Sequence, residues 1–419
     1  MPEKIRVINV FPGIPAYEAY RNSPRPKINW DTSNGSWVGI WGYDWSDLLG
    51  EEILKISNDF EYEVWQPDLR ADKVYSHCFD NGLIHKLFPA EIMKSGYFPW
   101  KHKTLNSSKL NYELIKIYNN KKIIIHLNEI FDTITKFFLN KIEIKRNPVF
   151  ISAHGSAIIP QNRIFATKNL LKSLAYINSI KYIRRMLKKV DIISEMRNDH
   201  IEDIKHLYKG KIIKMTMGVD FEFWRNENKE IIRKKLGLKD RKIFLCASNL
   251  IPRKQVDKII QQFISLKDKY DFLLIIAGHG SKQYEKYLIE LAKPLINSKK
   301  IQFVGYKIGN ELKDFYNASD LFISTSIHEG ASVAIMKAFA CQTPVLSSNV
   351  GGTFDLMKDL NVNFIVDKSK PDSWIEPIEK FLKGYKPKSI DYEIAKGFYH
   401  WPTVAKRYIE LYLELFYRY

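Results

Sequence analysis

The residues with the clearest chemical use in this 419-residue chain lie at the ends of apolar runs. The stretch HEGASVAIMKAFACQTPVLSSNVGG (328–352) follows LFISTSI and sets His328, Glu329, Gly330 and Ser332 ahead of a helical pattern. A helix start of this kind presents free backbone N–H groups at Ser332, Val333 and Ala334 together with the positive end of the helix dipole, an arrangement suited to a phosphate. Two loops of similar character lie upstream. SNLIPRK (248–254) follows IFLCA and supplies the cations Arg253 and Lys254, and Gly278-His279-Gly280 follows LLIIA, where small residues let a ligand approach the backbone. In open α/β sheets ligands bind outside the carboxyl ends of the strands, so three such loops in succession point to a nucleotide diphosphate.

The elements that must position these loops are legible as alternating patterns. Short β-branched runs at 4–10, 121–127, 147–153, 190–194 and 211–215 are separated by helical stretches, and a second series follows at 241–248, 271–278, 300–305, 320–326, 343–348 and 363–366. Runs apolar on every residue imply strands buried on both faces of a parallel sheet. Two doubly wound α/β domains in series are expected, residues 1–216 and 217–396, with the junction near MGVDFEFWRNENKE (217–230). The tail from 397 to 419 reads as an aromatic amphipathic helix packing back on the first domain. Residues 20–110, with KINWDTSNGSWVGIWGYDW (27–45), are less regular and fit either a sugar or lipid site or an elaborated core under long loops.

Composition narrows the function classes. With 45% hydrophobic and 27% charged residues the chain is globular. Its cysteines, Cys78, Cys246 and Cys341, are odd in number and widely spaced, so neither a disulfide framework nor a zinc spacing is expected. With no signal-peptide pattern in MPEKIRVINVFPGIP and no apolar run long enough to span a bilayer, a reducing, cytoplasmic setting follows. The net charge is +18, and residues 94–189 hold 19 Lys and Arg against four acids, a local excess of +15. That excess is either a solvated face or an attraction to an anionic partner. The helix expected over 169–189 interleaves Leu170, Leu174, Ile177, Ile180 and Ile183 with Lys172, Lys181, Arg184 and Arg185, which suits an anionic membrane surface and equally a core helix with a basic outer face.

Taken together in order and spacing, SNLIPRK, IIAGHG, IQFVGY, LKDFYNASDLFISTSIHEG and MKAFACQTPVLSSNVGG resemble the donor-binding domain of retaining glycosyltransferase family 4 (glycosyltransferase group 1) over about 241–356. IIIHLNE, FISAHG, VDIISEMR and KMTMGVDFEFWR resemble that family's first-domain strand ends more loosely, and 11–110 matches poorly. The resemblance implies two Rossmann-like doubly wound domains facing each other across a cleft, the GT-B fold. It implies a UDP- or GDP-sugar as donor, a glycan or lipid-linked acceptor as in polysaccharide biosynthesis, retention of configuration, and neither a prosthetic group nor a bound metal. On the family's pattern Glu329 holds donor-sugar hydroxyls, His154 stands beside the sugar, Arg253 and Lys254 meet the diphosphate, and Gly278, Gly280, Tyr306, Gly330, Ser332, Val333 and Ala334 line the nucleotide. Two positions depart from it. Asn249 stands where the family has a phosphate-binding Arg, and Lys337 stands where a second Glu would accept hydrogen bonds from ribose hydroxyls, which an ammonium cannot do. A retaining hexosyltransferase with a rewritten ribose contact is the leading expectation, peripheral at the inner face of the membrane. A non-catalytic GT-B subunit of a partner enzyme is the alternative, and transfer to nucleic acid is a third, less favoured reading.

Overall fold

The computed structural model describes residues 4–11, 45–69, 71–95, 102–143, 146–154, 170–360, 365–367, 374–387 and 391–419. Residues 12–44, which include most of the aromatic stretch 27–45, and the 155–169 part of the basic region lie outside them. The chain forms two compact units, residues 1–217 with 401–419, and residues 218–400.

The first unit is built on an eight-stranded sheet, ordered β10-β9-β8-β7-β1-β2-β4-β3. Its strands are β1 (Ile5–Val10), β2 (Phe60–Asp68), β3 (Tyr75–Cys78), β4 (Ile84–Pro89), β7 (Ile124–Asn128), β8 (Val149–Ala153), β9 (Ile192–Glu195) and β10 (Lys211–Lys214). All pairings are parallel except β3 with β4, while β5 (Glu91–Ser95) and β6 (His102–Asn106) form a separate antiparallel hairpin. Alternate residues serve opposite faces. Ile8, Val10, Ile125, Leu127 and Ile151 pack under the helices Ser108–Asn120, Thr133–Lys141 and Leu170–Leu187. Val7, Tyr62, Val64, Ile124 and Phe150 pack under Trp45–Ile56 and the last helix, Trp401–Phe416.

Within the stretch 20–110, read from sequence as less regular, the described residues hold a helix and strands β2 to β6 between 45 and 106. Their pattern is masked by buried polar residues. Glu63 on β2 is 2% exposed and is held by Arg6, by Lys86 at 2.7 Å and by the Trp65 indole N–H at 2.7 Å. Part of the basic region is similarly engaged within the fold: Lys189 donates to the carbonyls of Leu139 and Ile142, and Arg184 to that of His206.

The second unit has a six-stranded, all-parallel sheet ordered β13-β12-β11-β14-β15-β16. Its strands are β11 (Lys242–Ala247), β12 (Phe272–Ala277), β13 (Ile301–Gly305), β14 (Leu321–Ser324), β15 (Val345–Ser348) and β16 (Ile365–Val366). Alternation again feeds two cores, one with Ile243, Leu245 and Ile275, the other with Phe244, Leu274 and Ile276. The two ends of this unit meet. Val219 pairs with His400 in an isolated bridge, its N–H donates to the Tyr399 carbonyl at 2.7 Å, and Tyr392 Oη donates to the Phe221 carbonyl.

The last helix returns to the first unit's core, where Leu415 is fully buried beside Tyr412 and Phe416. Leu415→Ala is expected to cost about 2–5 kcal/mol from lost burial and the cavity left behind, read as a lower urea midpoint.

Candidate functional site

In the second unit the residues singled out from sequence gather at the carboxyl ends of β11, β12, β13 and β14, and the loops there are stitched to one another. Thr325 Oγ1 donates to the Lys254 carbonyl at 2.7 Å, Ile327 N–H to that of Arg253 at 3.1 Å, and Arg253 Nη1 to that of His328 at 2.5 Å. Gln255, which ends the turn Pro252–Lys254, takes the left-handed conformation at φ 49°.

Glu329 is the centre of this arrangement. It is 6% exposed, and its carboxylate accepts from Lys254 Nζ and, at 2.6 Å, from Ser326 Oγ, with Arg253 Nη1 3.6 Å from its other oxygen. A carboxylate taken out of water needs such partners, since removing one would leave an uncompensated buried charge. Ser326 was not anticipated, although the Ser-x-x-Glu spacing, familiar from capping boxes, was available in the sequence. Gly330 follows, and Ser332 is the N-cap of the helix Val333–Ala340 without a side-chain capping bond.

Gly278 and Gly280 have a packing reason to be glycine. A Cβ at Gly278, where φ is +147°, would stand 1.8 Å from the Ser248 carbonyl oxygen, and one at Gly280 would stand 1.9 Å from that of Leu250. The loops after β11 and β12 are thus pressed backbone to backbone, with Leu250 N–H donating to the His279 carbonyl at 2.8 Å. Tyr306, after β13, is 59% exposed with its ring edge-on to His279 at 4.7 Å, and Asn249 is exposed on the β11 loop.

Lys337 faces elsewhere. Its Nζ lies 4.3 Å from the ring centroid of Trp224, a residue that sequence reasoning did not connect with it. A cation over an indole face is electrostatically favoured, which gives the ammonium a partner among apolar neighbours. Burial nevertheless lowers its pKa to about 8, opposed by the nearby Cys341, whose own thiol is pushed up to about 12 by burial.

His154, just after β8, belongs to the first unit. Its Nε2 is 2.9 Å from Asn128 Oδ1, its ring packs at 4.4 Å on Trp45, and burial lowers its pKa to about 3, so it is neutral. Beneath it His126 bridges Tyr412 Oη at 2.7 Å and Ser152 Oγ at 2.8 Å, and burial holds it neutral as well. Among the described residues no cluster of His, Cys, Asp and Glu is placed to hold a metal ion, and no helix is long and apolar enough to cross a membrane.

Comparison with known proteins sets this geometry in context. Residues 228–396 match the family described as glycosyl transferases group 1. An uncharacterized glycosyltransferase of Methanocaldococcus jannaschii is 26% identical over 54% of this chain and 59% of its own length. A D-inositol 3-phosphate glycosyltransferase of Corynebacterium urealyticum is 24% identical over 55% of this chain and 58% of its own. The chain therefore spans little more than half the length of these curated relatives. Among solved structures, the sucrose-phosphate synthase of Thermosynechococcus elongatus superposes with a TM-score of 0.66 at 14% identity, covering 99% of this chain and 100% of that one. HepE of Anabaena, solved in complex with UDP, does so at 0.66 and 13%, covering 98% and 100%. The fold is that of the GT-B glycosyltransferases.

Two outcomes test the site's construction. Gly280→Ala must displace backbone rather than a side chain, and is expected to destabilise the protein by at least about 2 kcal/mol in urea unfolding. For Lys337 the folded pKa of about 8 lies below the ordinary 10.5, so the unfolded chain binds more protons between those values. The cost of the buried charge is fully present below about pH 8 and is relieved as pH rises toward about 10.5, so this group makes stability increase across that window. Lys337→Met is expected to remove its part of the increase, seen by comparing urea midpoints of both proteins across the window.

Proposed function

We propose that this chain, which carries the glycosyl transferases group 1 domain on a GT-B fold, moves a sugar from a nucleotide diphosphate donor to a glycan or lipid-linked acceptor with retention of configuration. The observation that carries the reading is the buried Glu329 carboxylate, held by Lys254 and Ser326 with Arg253 alongside, at the carboxyl ends of parallel strands and beside a helix start.

The chemistry follows from exchange of ion-pair partners. Arg253 and Lys254 share one carboxylate, leaving an excess of positive charge that the diphosphate of a donor would neutralise. As the cations turn toward phosphate oxygens, Glu329 is freed to accept hydrogen bonds from sugar hydroxyls and to favour positive charge developing at the reacting carbon. The leaving diphosphate is met by the guanidinium, the ammonium and the N–H groups of Ser332, Val333 and Ala334, a preorganised electrostatic contribution that needs no proton transfer. This route asks nothing of a metal ion, so transfer is expected to persist in EDTA. UDP or GDP is the nucleotide class, and the complex of HepE with UDP-glucose supports the former. Lys337, engaged with Trp224, offers no acceptor to a ribose, and the nucleotide is gripped mainly through its phosphates.

The exposed cations Lys181 and Arg185, on the same helix as the exposed Leu174 and Ile177, support an acceptor presented at the inner face of a membrane. A non-catalytic subunit is the second reading, favoured by the diversion of Lys337 onto Trp224.

A thermal-shift panel of nucleoside diphosphates and their sugars decides between them. One nucleotide sugar is expected to stabilise the protein, and Glu329→Ala is expected to weaken its binding roughly tenfold to 150-fold, the worth of a charged hydrogen bond. No stabilisation by any member of the panel would overturn the donor reading and favour the subunit.

A further inference from the structure

We propose that Asn128 is a positioning residue that holds His154 in its Nε2–H tautomer and so leaves Nδ1 as a hydrogen-bond acceptor for a ligand hydroxyl. The identification of that hydroxyl with a sugar rests on the reading above, whereas the tautomer does not.

The argument starts from a main-chain carbonyl. β1, β7 and β8 are adjacent parallel strands, with Val10 beside Leu127 and Asn128 beside Ser152, so the side chain of Asn128 spans the ends of all three. One terminal atom of that side chain lies 2.9 Å from the Val10 carbonyl oxygen. A carbonyl only accepts, so the atom facing it is the amide nitrogen. The same nitrogen donates to Asn9 Oδ1, and Asn9 in turn donates to Tyr62 Oη at 2.6 Å, which anchors the pair in the core. The remaining atom, Oδ1, is therefore the one turned to His154 Nε2 at 2.9 Å. An amide oxygen cannot donate, so Nε2 must carry the proton.

A neutral imidazole with its proton on Nε2 has its lone pair on Nδ1. In His154 that nitrogen is buried and has no hydrogen-bond partner among the described residues. The ring cannot easily turn to find one, because it is fixed at one edge by Asn128 and packed against Trp45. What fits an isolated acceptor is a donor that a ligand brings. Ionised phosphate and carboxylate oxygens carry no proton and are excluded from Nδ1, while a hydroxyl can donate to it. Asn128 thus acts through His154 and sets the class of ligand group that the first unit receives.

Side-chain nitrogen spectra of the full chain, labelled with 15N-histidine, read the tautomer directly, with the His154 signals assigned by their loss in His154→Gln. The wild type is expected to give the Nε2–H pattern without any ligand. In Asn128→Leu the two tautomers are expected to mix, and affinity for the nucleotide sugar to fall about tenfold while that for the nucleoside diphosphate alone is unchanged, as for one lost hydrogen bond. Asn128→Asp keeps an oxygen toward Nε2 and is expected to retain the Nε2 proton, which serves if the Leu variant fails to fold. An Nδ1–H pattern in the wild type, an unmixed Nε2–H pattern in Asn128→Leu, or equal loss of sugar-bearing and sugar-free nucleotide would overturn the proposal. A panel in which no nucleotide binds would instead count against the donor reading, since the ligand-free tautomer is measured independently.

Discussion

An ionised carboxylate can be buried only where cations and donors are brought to it, and much of the second unit's upper surface can be traced to doing so for Glu329. Lys254 and Arg253 lie on the β11 loop, Ser326 and Glu329 itself on the β14 loop. Those loops must therefore be locked together, which the contacts of Thr325, Ile327 and Arg253 with the opposite backbone accomplish. The β11 loop is fixed from its other side by the β12 loop, at a separation that glycine alone allows. A charged group one turn before a helix thus dictates the conformation of two neighbouring connections.

The first unit solves the same problem without formal charge. Across the ends of its central strands run Asn9, Asn128, His154, His126, Ser152 and Ser194, joined through Tyr62 and Tyr412. Each member is neutral where burial decides the matter, both histidines being held far below their ordinary pKa. A neutral network is directional, since every amide and hydroxyl orientation constrains the next, and it can therefore fix which atom of a side chain is offered outward. An ion pair such as that of Glu329 is less directional but can exchange partners when another charge arrives.

The sequence was most readable where burial is two-sided. Runs such as RKIFLCAS and DFLLIIAG became β11 and β12 within a residue or two, because a strand covered on both faces has no polar alternation to confuse it. It was least readable in β2, where Glu63, Gln66 and Asp68 are buried and the cations that hold Glu63, Arg6 and Lys86, come from other strands, and in β3, an edge strand with alternate exposure. The site followed the same division. Glu329, Arg253 and Lys254 are together as their loops suggested, because loops after parallel strands converge by topology. Trp224 could not be linked to Lys337, nor Asn128 to His154, because those pairings depend on side-chain direction across separate elements. Gly278 and Gly280 were read as places where a ligand nears the backbone, whereas the cause of their smallness that the structure shows is a neighbouring carbonyl.

The bridge between Val219 and His400 bears on how such a chain is assembled. The two ends of the second unit touch each other, so in chain order it is an insertion within the first. For the host, the entropy lost in joining residue 217 to residue 401 is set by the gap between them once the insert is folded, and hardly at all by the length of chain in between. The insert can accordingly grow, shrink or be exchanged for another of the same kind without altering the terms on which its host folds. Whatever recognition is placed in such a module becomes a property that a lineage could replace as a whole.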